Sequence, residues 1–435
     1  MRVIHLLLFE SKHFVRSKSK VVSYLLFVCT CVYAIQNGFD LYHKQSETIL
    51  EIRQEQSAEI QKVNTWFAEG KNGPEDRSWV DIHEPYWALR YAPTHVIKSP
   101  SPLLPLGLGQ SEQFGYYKEI TFWSSTYDND MVEEIANPER LGNGTLDFAF
   151  LILYLLPLLL IVLTYDIGGV EKDEHFEKLV KIQFGSWSRW IVIRMAFYVV
   201  LLLMTVLLLM SGVVYLNASG SFPNEFIGLV RLVSGYVLSF AVLYFSILRL
   251  GNGSSANAFN MIGIWIILCL LIPGAVHQYI SLKVPVGYMT DFLDANRKET
   301  YAVYSLPSET VSEQLVSMYP SLQSKINSEE EKNGQYLRKS LSALTNELNK
   351  SAVTQIEYRN ARKNELLQAT YWFNPVMFAQ NQWNSYTSSD YEAYSVYRLK
   401  VQQMIDKKIG FLVIDTWNER ATEQSIFEQY IQALQ

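Results

Sequence analysis

The sequence predicts an α-helical polytopic membrane protein with about five transmembrane helices and a mainly helical extracytoplasmic domain built from two inserts. Hydrophobic residues make up 49% of the 435 residues, yet the mean hydropathy is only +0.02. The low average arises because stretches of about 20 uncharged residues, long enough to cross a bilayer core, alternate with long polar segments. A net charge of −6 argues against a nucleic-acid partner.

Five stretches are long and apolar enough to span a membrane. They are residues 21–39, 147–166, 190–216, 226–250 and 257–280. Basic residues precede the first stretch, as they precede a signal peptide. Its apolar part is long, however, and no small-residue cleavage site stands out. We therefore predict that residues 21–39 form an uncleaved span.

Lysine and arginine are concentrated in the short loops on one side of the predicted spans. Five precede the first span, four lie in the loop of residues 167–189, and Arg249 lies at the end of the fourth span, on the side that leads to the fifth. The loop between the third and fourth spans has none. The positive-inside rule therefore predicts a cytoplasmic N-terminus, with residues 40–146 and 281–435 as two extracytoplasmic inserts.

Residues 1–20 are predicted to form a cytoplasmic amphipathic helix. Ile4, Leu7, Leu8 and Phe14 can share one face, and the charged residues take the other. Such a helix can lie in the lipid headgroup plane, although a basic flank that only sets the orientation is an alternative.

Two spans contain a proline, at Pro157 and Pro273. A proline is tolerated in a membrane helix when neighbouring helices or side chains satisfy the carbonyl that it frees. Either residue is expected to kink or loosen its helix. The bend is a packing irregularity in one interpretation, and a hinge or a bend that lines a pathway in the other.

The loop of residues 167–189 is predicted to contain a short helix from Glu171 to Ile182. An apolar edge and an acidic edge lie along it, formed by Phe176, Leu179 and Val180, and by Glu171, Glu174 and Glu177. A short helix with an apolar ridge on the cytoplasmic side has the form of a docking element. It could also be an amphipathic connector that rests on the membrane.

Both inserts are predicted to be mainly helical and to pack together as one domain. The first opens with apolar residues at helical spacing from Ile49 to Phe67, and Tyr116–Ser125 is a candidate strand. In the second, a stripe on one long helix consists of Leu337, Leu341, Leu344, Leu348 and Ile356. "SDYE" at Ser389–Glu392 matches a capping box that begins another helix.

The sequence lacks the common catalytic motifs. There is no GxxxxGK[ST], no G-x-S-x-G and no HExxH, so we predict that the chain is not an enzyme and has no metal site or cofactor of its own. Charged residues near the spans are functional candidates. Asp147 and Arg231, both near the outer ends of their spans, are a candidate intramembrane pair, and Arg194 is expected to extend its side chain to the membrane interface.

The order of the elements and several local segments resemble an ABC-2-type transporter permease, in the subgroup with large extracytoplasmic inserts. "SPLLPLGLGQ" (Ser101–Gln110), "NPERLGNGTLDFAFLILYLLPLLLIVLTYD" (Asn137–Asp166) and "NPVMFAQ" (Asn374–Gln380) resemble segments of that family. The resemblance implies a prokaryotic inner-membrane protein that pairs with a second permease chain, identical or related. It also implies a cytoplasmic ATPase dimer beneath the pair, with ATP and Mg²⁺ bound by the ATPase.

In that resemblance the helix after the second span is the coupling helix, which docks on the ATPase. The residues in that position are Glu171, Glu174, Phe176, Glu177 and Leu179. Members often have a Glu-x-x-x-Gly-Thr-like run there, whereas this chain has "EKDEHFEKL". The family also leads us to expect a sixth span, but "IGFLVI" near the C-terminus is too short to cross. Either the C-terminus stays outside, or a partner chain completes the bundle.

The leading hypothesis is a permease that exports a substrate, or that transmits ATP-driven motion to the extracytoplasmic domain and onward to a periplasmic or envelope protein. The alternative is a membrane-anchored receptor or scaffold whose extracytoplasmic domain binds a ligand without an ATPase. The helix of Glu171–Ile182 distinguishes the two, since only a permease needs it as a docking surface.

Overall fold

The computed structural model describes residues 2–127, 145–217, 223–251, 253–285, 302–326 and 333–435. Residues 137–144, which begin one of the segments used for the family resemblance, lie outside these ranges. Five described helices are long and apolar enough to span a membrane. The structure thus agrees with the predicted class of α-helical membrane protein and has five candidate spans.

The N-terminal region forms two helices, α1 (Arg2–Arg16) and α2 (Lys18–Glu69). The 52 residues of α2 give a length of about 78 Å at 1.5 Å per residue. The helix therefore includes both the first span and the helical pattern of the first insert, which hydropathy had separated at residue 39. No proline interrupts it, and it ends where Gly70 adopts a left-handed conformation with φ 64°.

The second span has three parts. It begins as a single helical turn, α4 (Phe148–Phe150), continues as a π-helical segment (Leu151–Leu155) and ends as α5 (Leu156–Thr164). Two short helices follow it, α6 (Gly169–Asp173) and α7 (Glu177–Phe184). We call residues 167–186, which contain both, the docking loop.

The fifth span repeats this three-part construction, whereas the two spans before it are continuous helices. The third span is α8 (Trp187–Asn217) and the fourth is α9 (Asn224–Arg249). The fifth consists of α10 (Ser254–Ile266), a π-helical segment (Ile267–Leu271) and α11 (Ile272–Lys283).

Up to residue 127, the first insert adds one α-helix, one turn of 3₁₀ helix (Leu104–Leu106) and two short strands to the far part of α2. The helix is α3 (Pro85–Tyr91), and the strands β1 (His95–Ile97) and β2 (Tyr117–Glu119) pair antiparallel with His95 opposite Glu119. Only three residues of the predicted Tyr116–Ser125 strand lie in the ladder, and one backbone hydrogen bond flanks it at each end, from Lys98 to Tyr116 and from Ile120 to Thr94.

The described residues of the second insert are mainly helical. Its helices are α12 (Ser308–Met318), α13 (Gln323–Ile326), α14 (Asn333–Gln368), α15 (Pro375–Tyr386), α16 (Tyr391–Trp417) and α17 (Gln424–Leu434). The N-cap of α16 is Asp390, whose carboxylate accepts from the amide of Ala393. The predicted capping box was therefore placed one residue early, because the Ser389 hydroxyl instead bonds Thr387.

The two inserts form one domain. Val63 and Trp66 of α2 share an apolar core with Phe427 and Tyr430 of α17. A second core lies between α14 and α16. We call the end of the transmembrane bundle that carries this domain the domain end, and the end that carries α1 and the docking loop the loop end.

The C-terminal region belongs to the domain and not to the bundle. "IGFLVI" lies in α16, where Ile409, Leu412 and Val413 are buried in the domain cores. The final helix, α17, packs against α3 and the far part of α2. Within the described residues, then, no sixth span is present, and the chain leaves α17 at the domain end.

Candidate docking face and domain seat

The docking loop contains two short helices where the sequence predicted one. His175 adopts a left-handed conformation, with φ 62°, and separates α6 from α7. The break lies directly after the end of α6, which two hydrogen bonds fix in place. The Asp173 carboxylate accepts from the amide of Ser254 at 3.0 Å, and Lys172 donates to the Gly251 carbonyl. The loop between the fourth and fifth spans therefore holds α6 in place.

An apolar ridge on the docking loop faces outward. Phe176 and Leu179 are each 54% exposed, and Ile182 is 80% exposed. Val180, which the sequence analysis assigned to the same edge, is partly buried against the bundle together with Phe184. The helix α7 thus rests on the bundle by one face and presents the other.

A buried arginine lies behind the docking loop. Arg194 of the third span is 3% exposed and donates to both carboxylate oxygens of Glu10, through Nε at 2.6 Å and Nη2 at 3.3 Å. Its Nη1 donates to Glu171 at 2.8 Å. Arg194 therefore joins α1, the third span and α6, and the expectation that it extends to the membrane interface was wrong, because two carboxylates reach it inside the protein.

The ionic contacts continue into the first two spans. The hydroxyl of Tyr198 donates to Glu10 at 2.8 Å. Lys20, at the start of α2, donates to Asp166 at 2.8 Å, to the Leu163 carbonyl at 2.9 Å and to Tyr198 at 3.4 Å. We call these six residues the ionic anchor: Glu10, Lys20, Asp166, Glu171, Arg194 and Tyr198. Buried charges are tolerated only when they are paired and hydrogen-bonded, as these are.

The residues proposed for ATPase coupling therefore lie in two environments. Glu171 belongs to the ionic anchor, and its second carboxylate oxygen accepts from the amide of Gly168 at 3.0 Å. Glu174, Phe176 and Leu179 are exposed on the outer surface of the docking loop. Glu177 is half-buried and pairs with Lys181, whose hydrogen bond lowers the pKa of the Glu177 carboxyl.

The structure does not bring Asp147 and Arg231 together. Asp147 caps the start of the second span, where its carboxylate accepts from the amides of Ala149 at 3.2 Å and Leu108 at 3.3 Å. Arg231 is exposed on the fourth span, and no ion pair joins it to another described residue. The proposed pair is replaced by a cap that ties the Ser101–Gln110 segment to the second span, because backbone amides satisfy the carboxylate.

Both span prolines follow a π-helical segment. Pro157 has no amide hydrogen and therefore cannot donate to a carbonyl of the preceding turn. Side chains from two other spans donate to carbonyls of that turn instead. The hydroxyl of Tyr236 donates to the Leu153 carbonyl, and Nε1 of Trp265 donates to the Tyr154 carbonyl at 2.9 Å. The proline therefore becomes a point at which the second, fourth and fifth spans are joined.

The helix α15 of the domain is seated in the transmembrane bundle. Val376, Ala379 and Trp383 belong to the same apolar core as the spans. The helix contacts the π-helical segments of the second and fifth spans and packs along the fourth. The hydroxyl of Tyr154, beside Pro157, donates to Gln380 at 3.1 Å. We call this contact the domain seat.

The C-terminal end of α15 is fixed to the first insert. Nε1 of the fully buried Trp383 donates to the Leu106 carbonyl at 2.8 Å. Lys98 donates to the Ser388 carbonyl at 2.8 Å, and burial lowers the pKa of its ammonium group to about 8. The domain seat thus connects the bundle to both inserts.

Sequence reasoning missed Glu10 and the domain seat. Glu10 is the one acidic residue among the first 20 residues, and an isolated acid in a basic, apolar helix was the available signal. For α15 the signal was the absence of charge from residue 366 to residue 389. Because this uncharged segment is too polar for a span, hydropathy places it in a water-exposed insert.

Comparisons with known proteins add no further information. Scans against protein-family models, curated proteins and solved structures found no match to this chain.

Proposed function

We propose that this chain is the membrane-spanning permease subunit of an ABC-2-type transporter. In this proposal the loop end is cytoplasmic in a prokaryotic inner membrane, and the domain is extracytoplasmic. A separate ATPase dimer, which binds ATP and Mg²⁺, docks on the loop end of two paired permease chains. The observation that carries the proposal is the exposed apolar ridge of Phe176, Leu179 and Ile182, mounted on the ionic anchor.

The ridge has the properties of a protein-docking surface. Three large apolar side chains stand on a short helix among charged residues, an arrangement that favours a protein partner over water. A force applied there reaches the bundle through charged contacts and not through a flexible loop. Arg194 transmits it to the third span and to α1, and Lys20 joins the first span to the second.

The domain seat supports a role in transmitting motion across the membrane. The helix α15 contacts the second and fifth spans at their π-helical segments, where the regular hydrogen-bond pattern is already interrupted. A change in either span would therefore displace α15 directly. This favours the version in which ATP-driven motion reaches the extracytoplasmic domain, whether for export or for action on an envelope partner.

The test is purification of the tagged full chain from its native membrane in mild detergent, with identification of co-purifying proteins by mass spectrometry. We expect an ATP-binding protein of the ABC class. The double variant Phe176→Asp/Leu179→Asp should reduce its recovery at least tenfold.

The matched control is Val396→Asp/Leu399→Asp in α16. These side chains are 53% and 58% exposed, close to the values for the ridge, but they lie in the domain. Recovery of the ATPase should be unchanged in this control. If the unaltered chain purifies without an ATPase in several detergents, the permease proposal fails, and the receptor or scaffold alternative replaces it.

A further inference from the structure

The second insert contains an uncharged, aromatic-rich segment. No charged residue occurs between Glu365 and Asp390, and the interval contains six aromatic residues. They are Tyr371, Trp372, Phe373, Phe378, Trp383 and Tyr386. Several asparagines and glutamines make the segment too polar to cross a bilayer. In the structure it forms the end of α14, a turn and α15.

This segment lies beside the apolar part of the transmembrane bundle. The helix α14 contacts α11, the last part of the fifth span, and α15 contacts the π-helical segment before α11. Leu271, at the end of that segment, precedes Lys283 by 12 residues, which corresponds to about 18 Å of helix. The helices α14 and α15 therefore form a hairpin that reaches well below the domain end of the bundle.

The turn of this hairpin and the start of α15 carry large apolar side chains that are partly or largely exposed. Trp372 is 86% exposed, and Phe373 and Phe378 are 37% and 41% exposed. The Trp372 and Phe373 rings pack edge to face, with their centroids 4.9 Å apart. By contrast, the neighbouring Asn374 is fully buried and caps α15. The turn is thus fixed to the protein on one side and bare on the other.

We propose that the hairpin turn, residues 369–374, together with Phe378, dips into the bilayer and binds lipid. The helix α15 joins the core of the spans beside the π-helical segment of the fifth span, where Leu270 and Leu271 are 50% and 60% exposed. Arg359 and Arg362 are exposed on α14, about three to four helical turns before Trp372, and Arg362 pairs at 2.8 Å with Glu365, which lies between it and the turn. This order of basic residues followed by aromatic ones matches the headgroup and interfacial regions of a membrane.

The lipid contact has a mechanical consequence that does not depend on an ATPase. A domain held only by its linkers to the spans could tilt freely away from the bilayer. With the turn in lipid and α15 in the bundle, the second insert is attached at two points on one hairpin. Displacement of α15 would then move lipid-facing side chains as well as the domain.

The test measures the accessibility of a nitroxide spin label on the full chain in phosphatidylcholine–phosphatidylglycerol vesicles. The exposed Cys29 is first replaced by Ser, and the label is attached in Trp372→Cys or Phe378→Cys. Trp79→Cys is the matched control, because Trp79 is 66% exposed in the loop after α2, at the far side of the domain. Collision with oxygen reports lipid, and collision with a water-soluble nickel chelate reports water.

We expect labels at positions 372 and 378 to collide with oxygen at least threefold more often, relative to nickel, than the label at 79. Equal nickel access at 372 and 79 would place the turn in water and overturn the proposal. Low access to both reagents would also overturn it, since it would mean that protein, such as a second copy of the chain, covers the turn. The label at 378 tests the same point if the variant at 372 does not fold.

Discussion

Arg194 shows how a single side chain can be misjudged when its partners are distant in sequence. An arginine near the end of a membrane helix usually extends toward the headgroups, and that expectation was reasonable for Arg194. Its partner Glu10 lies 184 residues away, and no local pattern links the two. Asp147 was misjudged for a different reason. The groups that donate to its carboxylate are backbone amides, which are present whatever the side chains are.

Removal of the Arg194 charge should destabilise the protein strongly. In Arg194→Met, Glu10 and Glu171 remain in the interior without a cation between them, a loss that typically costs about 3–5 kcal/mol. The measurement is the free energy of unfolding of the purified chain in a denaturing-detergent titration. The double variant Arg194→Met/Glu10→Gln should recover part of the loss, because it also removes one unpaired carboxylate.

Arg231→Met is the control for this prediction. Arg231 is exposed on the neighbouring span, and a surface substitution of this kind changes stability by no more than about 0.5 kcal/mol. Equal effects of Arg194→Met and Arg231→Met would mean that the ionic anchor contributes nothing beyond ordinary surface charge.

At the scale of elements, the predicted helices are present, but the sequence did not predict where neighbouring helical segments are continuous and where they break. Hydropathy ended the first span at residue 39, although α2 continues to Glu69 because nothing in the sequence interrupts it. The docking loop was expected to be one helix, and its break at His175 depends on contacts of α6 with Ser254 and Gly251. Local sequence determined where helices form, and tertiary contacts determined where they divide.

Pro157 offers a test of how the second span is stabilised. Tyr236→Phe removes the donor to the Leu153 carbonyl and should cost about 1 kcal/mol, the usual value for such bonds in a membrane. In a Pro157→Ala background the cost should fall to near zero, because the new amide at 157 can bond that carbonyl. The measurement is a double-mutant cycle on the free energy of unfolding.

Tyr244→Phe serves as the control for this cycle, since the Tyr244 hydroxyl has no hydrogen-bond partner among the described residues. Its removal should cost nothing in either background. A loss for Tyr236→Phe that is the same with and without Pro157 would show that the hydroxyl stabilises the protein through some contact other than the freed carbonyl.

At the scale of the molecule, two sets of contacts attach other parts of the chain to the bundle. The ionic anchor attaches the docking loop at the loop end, and the domain seat attaches the domain on the other side. The sequence predicted the bundle, the helical inserts and two of the three ridge side chains of the docking loop, Phe176 and Leu179, from periodicity and charge. The domain seat could not be predicted, because α15 is neither apolar enough to be read as a span nor charged enough to stand out from it. Its position follows only from the way in which it packs against three separate spans.

A substitution at Gly228 can interrupt the transmission of motion through the domain seat while leaving the docking loop unchanged. A Cβ atom at Gly228 would lie 2.5 Å from the ring of Tyr386, so Gly228→Leu must displace that ring, and we expect the bulk of the leucine to move α15 away from the fourth span. We expect the partner ATPase still to co-purify with this variant. The ATP-dependent change in protease sensitivity of the domain, measured on the complex in nanodiscs, should fall several-fold.

Two further variants determine whether such a loss arises from the seat itself. Gly235→Leu lies on the same helix, but a Cβ atom there has no neighbour within 4 Å, so the ATP-dependent change should persist. Tyr386→Ala makes room for the leucine, and Gly228→Leu/Tyr386→Ala should restore much of the response. If Gly228→Leu alone left the response intact, the contact of α15 with the fourth span would not carry the motion, and α2, which extends continuously from the first span into the domain, would be the next route to test.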